Sequence, residues 1–192
     1  MDRYYIEQFL RRHADDLRGR VLEVGEPWYA NLLAPDGAVT GIDVLDRDET
    51  NQAATLIVDL GSGAPVPPDA RFDCIICTQT LHLVYEVGTA MATLHDLLAP
   101  GGVLLVTVPG ISQIARDDAR RWEDYWRFTT RSMTRLCAER FGEQDVSVEA
   151  FGNVRAAAAF LYGLATEELG QSALDYRDPD YDLVVAARAR RR

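Results

Sequence analysis

Apolar residues recur at helical spacing over residues 4–18, at Tyr5, Ile6, Phe9, Leu10 and Leu17, and Gly19 ends that run. A short strand over 20–24 follows and breaks at Gly25. Glu26-Pro27 then opens a brief helix through Leu33, because proline is tolerated at a helix start. Further apolar runs predict strands over 38–44, 55–58, 72–77 and 103–108, with an amphipathic helix over 87–98 closed by Pro100-Gly101-Gly102. Residues 111–129 read as an irregular insertion rich in Trp, Tyr and Arg. Beyond it the pattern predicts a helix over 130–141 with Thr129 or Thr130 as N-cap, a strand over 145–151, an alanine-rich helix over 154–169 and a last strand over 181–187. Strand and helix alternate throughout, which predicts an α/β fold with a doubly wound, mostly parallel sheet and helices on both faces.

Composition narrows the picture. The chain has 192 residues, 47% hydrophobic and 26% charged, as expected of one globular domain over 1–192 that carries a lid or insertion at 111–129. The N-terminus lacks the pattern of a signal peptide and no apolar run is long enough for a membrane span, so a cytoplasmic location and no membrane partner are expected. A formal net charge of -10 repels phosphate backbones, so no nucleic acid is expected as a partner. Arg188, Arg190, Arg191 and Arg192 form a basic cluster, read as a solvated tail that ends a strand. Cys74 and Cys77 share one strand, where residues three apart face opposite sides, so they are core residues and not a redox pair. With three scattered histidines and no ligand-spaced acids, no metal is expected.

In an open parallel sheet, ligands bind beyond the carboxyl ends of the strands. The turn after the first strand reads Glu23-Val24-Gly25-Glu26-Pro27-Trp28-Tyr29. One glycine, two carboxylates and a proline make a poor seat for a pyrophosphate, which argues against NAD, FAD and nucleoside triphosphates. A cationic ligand suits that turn. Asp43 lies 18 residues past Gly25, near the spacing at which an acid meets ribose hydroxyls, with Val44 beside it. Asp59, at the end of the third strand, is placed to accept from an exocyclic amine.

The order Val21-Leu22-Glu23-Val24-Gly25, Gly41-Ile42-Asp43, Asp59-Leu60, Phe72-Asp73-Cys74-Ile75-Ile76 and Leu98-Ala99-Pro100-Gly101-Gly102-Val103-Leu104 resembles the Rossmann-like (class I) S-adenosylmethionine-dependent methyltransferases. It is most similar to their small-molecule, type 11-like branch. Residues 125–129 and 174–181 resemble a bacterial subgroup that often accompanies glycosyltransferases. The resemblance implies a seven-stranded sheet with an antiparallel last strand and S-adenosylmethionine as cofactor, leaving S-adenosylhomocysteine. It further implies that Glu23 and Gly25, with the neighbouring Glu26, meet the methionine end, Asp43 the ribose, Asp59 and Leu60 the adenine, and that Cys77 and Thr78 line the methyl-donor site. Of the family's glycine-rich first loop only Gly25 remains.

His82, just past the fourth strand, is the candidate general base, the rival reading being a hydrogen-bonded structural histidine. Trp122, Tyr125, Trp126 and Arg127 either form a lid that grips the acceptor or, with Phe128, anchor the insertion to the sheet. Arg116, Asp117 and Asp118 could contact a polyhydroxylated acceptor or form surface ion pairs. Tyr5 either closes over the cofactor or packs in the core. The expected function is methyl transfer to O or N of a small molecule, a sugar or secondary metabolite, with a homodimer as the oligomer to look for. The alternative is an inactive methyltransferase-like binding or assembly subunit.

Overall fold

Strands β1 (Gly19–Val24), β2 (Val39–Asp46), β3 (Leu56–Ile57), β4 (Phe72–Thr78), β5 (Leu98–Pro109), β6 (Val146–Phe151) and β7 (Val184–Arg190) form one sheet in the order β3-β2-β1-β4-β5-β7-β6. They are taken from a computed structural model that describes residues 1–192 apart from the side chain of Asp118. The first five strands run parallel, and β7 pairs antiparallel with both β5 and β6. The seven-stranded, mostly parallel fold is therefore the one the sequence led us to expect.

Helices α1 (Asp2–Arg12), α2 (Trp28–Leu33), α6 (Val154–Leu161) and α7 (Gln171–Asp175) cover one face. Their apolar stripes meet Val21, Cys74, Ile76 and Leu105 of the sheet. The other face carries α3 (Val87–Leu97) and α5 (Thr130–Phe141), which close over Leu22, Ile75, Cys77 and Leu104. Cys74 and Cys77 thus fall into opposite cores, as strand alternation requires. A short helix, α4 (Arg116–Arg121), lies within the insertion. Thr129 caps α5, its hydroxyl accepting from the Ser132 N–H while the Ser132 hydroxyl reaches back to the Thr129 N–H. Among the described residues no helix is long and apolar enough to cross a membrane.

Several boundaries depart from expectation. Helix α1 stops at Arg12 and gives way to a 3-10 turn over Ala14–Asp16. Strand β2 continues past Val44 to Asp46, because Leu45 pairs with both Val24 and Leu56. The helix expected over 154–169 ends at Leu161, where Gly163 adopts a φ of +75° that favours glycine. The arginine cluster is no solvated tail. Arg188 and Arg190 belong to β7, Arg188 forms a two-pronged ion pair with Asp16 at 2.7 and 2.8 Å, and Arg191 donates to the carbonyls of His95, Asp96 and Leu98.

One acid ties the sheet to its helices. Glu23 is 2% exposed, and its carboxylate accepts the Tyr29 and Ala30 N–H groups at 2.9 and 2.8 Å, closing the start of α2. Burial pushes its carboxyl above the usual range, and these backbone N–H groups only partly oppose that. A carboxyl whose folded pKa is raised favours folding at low pH and loses that contribution as pH rises through the folded value. Glu23→Gln is therefore expected to melt below wild type, by a gap that widens when thermal unfolding is followed from pH 7 down to pH 5. A gap that narrows on acidification would refute the assignment.

Candidate active site

The parallel strands β1, β2 and β4 end on the same edge of the sheet, and three cavities open there. The first, about 340 Å³, lies beyond β1, β2 and β3. Val24, Leu45, Val58, Leu60 and Val84 give it apolar walls, and Asp46 and Asp59 stand at its margin. Gly25 borders it with φ at +91°, and no heavy atom lies within 4 Å of where a Cβ would project. The positive φ is what favours glycine there, and bare backbone is left facing the cavity.

Asp46 is held in place. The Asn51 amide donates to the Asp46 carboxylate at 2.7 Å and to the Gly25 carbonyl at 2.8 Å. Asp46 also accepts from the Asp48 N–H at 3.0 Å. One Asp59 oxygen accepts the Gly61 N–H at 2.9 Å.

A second cavity, about 440 Å³, lies between β1, β4 and the start of α1, bordered by Glu23, Val24, Glu26, Thr78 and Gln79 with Asp2 and Ile6. Val24 is a wall of both the first and the second cavity. The third, about 130 Å³, holds His82, Asp124, Arg127, Ser112 and Gln113. It shares Asp2 and Gln79 with the second. His82 is 8% exposed. Arg127 grips Asp124 through both guanidinium nitrogens at 2.5 and 2.9 Å, which holds the Asp124 carboxyl below the usual carboxylate range.

The insertion runs as a strap along the first and third cavities. The N–H groups of Tyr125 and Trp126 donate to the His82 carbonyl at 2.9 and 3.3 Å, and the Phe128 N–H donates to the Pro109 carbonyl at 2.9 Å. Trp122, Glu123 and Tyr125 border the first cavity, whereas Asp124 and Arg127 border the third.

Of the residues singled out in the sequence, Gly25, Asp59 and Leu60 meet at the first cavity, Glu23, Glu26 and Thr78 at the second, and His82 and Arg127 at the third. Trp122 and Tyr125 also border the first cavity, and the rest are not brought to these cavities. Asp43 sits inside β2, three residues before Asp46 and so on the opposite side of the strand, with Arg20 at 2.7 Å and the Thr55 hydroxyl at 2.8 Å. Arg20 holds its carboxyl below the usual range. Val44, Cys77 and Tyr5 are buried in the cores. Burial pushes the Cys77 thiol up to about 12. The Tyr5 hydroxyl donates to the Leu174 carbonyl at 3.0 Å, so it is the core reading of Tyr5 that the packing supports. Trp122 and Tyr125 border the first cavity and not the third, and Trp126 donates its indole N–H to the Val84 and Tyr85 carbonyls at 3.1 and 3.2 Å. Phe128 is buried in the core. Arg116 and Asp117 border none of these cavities, Asp117 pairing weakly with Arg120, and the Asp118 side chain lies outside the described residues.

Sequence reasoning did not single out Leu45, Asp46, Asn51, Gln79 or Asp124. Asp46 lies 21 residues past Gly25, a spacing as good as that of Asp43, so the spacing rule admitted both.

Residues 1–143 match the methyltransferase domain family. No curated protein is similar enough to count as a relative. Solved structures with the same fold include a SAM dependent methyltransferase from Archaeoglobus fulgidus, with TM-score 0.61 and 13% identity over 98% of this chain and 94% of that one. The N-methyltransferase NodS from Bradyrhizobium japonicum WM9, in complex with S-adenosylhomocysteine, gives TM-score 0.54 and 15% identity over 97% and 87%. The 1,6-didemethyltoxoflavin-N1-methyltransferase of Burkholderia thailandensis gives 0.57 and 15% over 97% and 76%. With three quarters of its length inside the family pattern and the class I sheet order complete, the chain belongs to the S-adenosylmethionine-dependent methyltransferases.

Proposed function

We propose that the protein transfers a methyl group from S-adenosylmethionine to an oxygen or nitrogen of a small polar molecule, a sugar or secondary metabolite. The observation that carries this reading is the row of three cavities with shared walls, acids at one end and a buried histidine at the other. The cofactor has a net positive charge, and the first cavity offers Asp46 and Asp59 beside apolar walls and the open backbone of Gly25. The residues fit the group. Its volume falls in the range of ordinary small-ligand sites.

Asp46 would accept from ribose hydroxyls, taking the role expected of Asp43. Asp59 and Leu60 would border the adenine, with Trp122 and Tyr125 of the strap above it. Thr78, Glu26 and the edge of Glu23 would line the methionine end. When bound, the cofactor supplies a methyl already activated by its sulfonium. The chain's own part is alignment, which can contribute roughly 7–11 kcal/mol, and removal of a proton from an alcohol or phenol acceptor. His82 would take that proton, while Ser112, Gln113 and the Arg127–Asp124 pair orient the acceptor. That the Burkholderia neighbour was crystallised with 1,6-didemethyltoxoflavin and S-adenosylhomocysteine supports a small acceptor on this fold.

Asp46→Asn should weaken S-adenosylhomocysteine binding by about 1–3 kcal/mol in a calorimetric titration. Asp43→Asn should leave that affinity within about twofold and cost only about 0.2–1 kcal/mol of stability, since its pair with Arg20 is partly exposed. An Asp43 variant that lost binding while Asp46→Asn did not would return the ribose role to Asp43. An acceptor can be found by following labelled methyl from S-adenosylmethionine into a metabolite extract. With it, His82→Gln should lower kcat about 10²–10⁴-fold at neutral pH and leave cofactor affinity unchanged; wild-type turnover would remove His82 as the base.

A further inference from the structure

Gln79 follows β4 directly and has a backbone φ of +47°, a left-handed conformation unusual for a residue with a Cβ. Among the described residues it shares that trait only with Glu123, which borders the first cavity. Glycine would adopt this φ freely, yet the chain carries a glutamine. Strain of this kind persists where the surroundings enforce it, and it collects at working sites. The enforcement here comes from Thr107 of β5, a fully buried polar residue. The Gln79 N–H donates to the Thr107 carbonyl at 2.8 Å, and the Gln79 carboxamide nitrogen donates to the Thr107 hydroxyl over a longer 3.4 Å.

Gln79 is also a wall of both the second and the third cavity, a position it shares only with Asp2. If the second cavity holds the methionine end of the donor and the third the acceptor, the methyl must cross where they meet. We propose that Gln79 contacts the transferred group at that junction and holds it in line, so that its strained backbone serves to place one carboxamide. This rests on the cofactor reading given above. With the nitrogen turned toward Thr107, the carbonyl oxygen is the end left for a positively polarised methyl. Carbon-bound hydrogens beside a sulfonium are good partners for such an oxygen.

Two ligands separate this role from a structural one. S-adenosylhomocysteine lacks the transferred group, whereas sinefungin carries a cationic amine in its place. In calorimetric titrations, Gln79→Gly should bind S-adenosylhomocysteine within about twofold of wild type and bind sinefungin about fivefold or more weakly, the loss expected of one hydrogen bond to a charged group. Its Tm should stay within about 2 °C of wild type or exceed it, since the left-handed position suits glycine. Gln79→Glu should bind sinefungin at least as tightly as wild type. Equal weakening for both ligands with a lowered Tm would make Gln79 a structural residue, and unchanged affinity for both would show that it reads nothing. Wild type that binds neither ligand would overturn the cofactor site itself, and this inference with it.

Discussion

Parallel pairing of β1 with β2 sets Val24 opposite Leu45, and the Gly25 N–H extends that ladder by donating to the Leu45 carbonyl at 2.9 Å. This register fixes which side chains can reach the ligand edge. With Leu45 beside the turn, Asp46 is the acid at the very end of the strand, and Asp43 is left inside the sheet on the other side. Asn51 then clamps Asp46 and the Gly25 carbonyl with one amide, so the glycine turn and the acid become a single unit. A change in the register by one residue would turn every side chain of β2 to the other face.

The charges around the first strand do two different jobs. Glu23 is spent on the fold. Its carboxylate satisfies N–H groups at the start of α2, in a turn where one proline and one glycine leave little else to do so. The aspartates at the first cavity, Asp46 and Asp59, are at least partly exposed and kept in position by hydrogen bonds. That division lets the chain keep only one glycine of the family's first loop. In the proposed reading the carboxylates on neighbouring strand ends would match the cationic cofactor, and Gly25 is where open backbone faces the cavity.

The strap over 122–127 joins what the sheet separates. Trp122, Glu123 and Tyr125 border the first cavity, while Asp124 and Arg127 border the third, and two N–H groups of the strap end on the His82 carbonyl. A residue that fills one cavity therefore sits next to a residue that lines the other. The insertion that looked irregular in the sequence is the element that links the first cavity to the one holding His82.

Periodicity along the chain was enough to find all seven strands, the two-sided helix cover, the capped start of α5 and the sheet edge on which a ligand must lie. Gly25, Asp59 and His82, singled out because they stand at or just past strand ends, and Leu60 and Thr78, singled out through the family resemblance, all border the cavities at that edge. Local pattern could not choose between Asp43 and Asp46, since both stand at suitable distances from Gly25 and only strand pairing tells their faces apart. Nor could it show that Tyr5 and Cys77 are buried, that Trp122 and Tyr125 lean toward the cofactor cavity, or that Gln79 is bent by Thr107 from the next strand. The sequence by itself determined the order of elements and the end of the sheet where chemistry occurs, because backbone geometry and hydrophobic spacing act over a few residues. Tertiary structure alone decided which acid, which aromatics and which amide border the cavities at that edge, because those choices depend on neighbours that are distant along the chain.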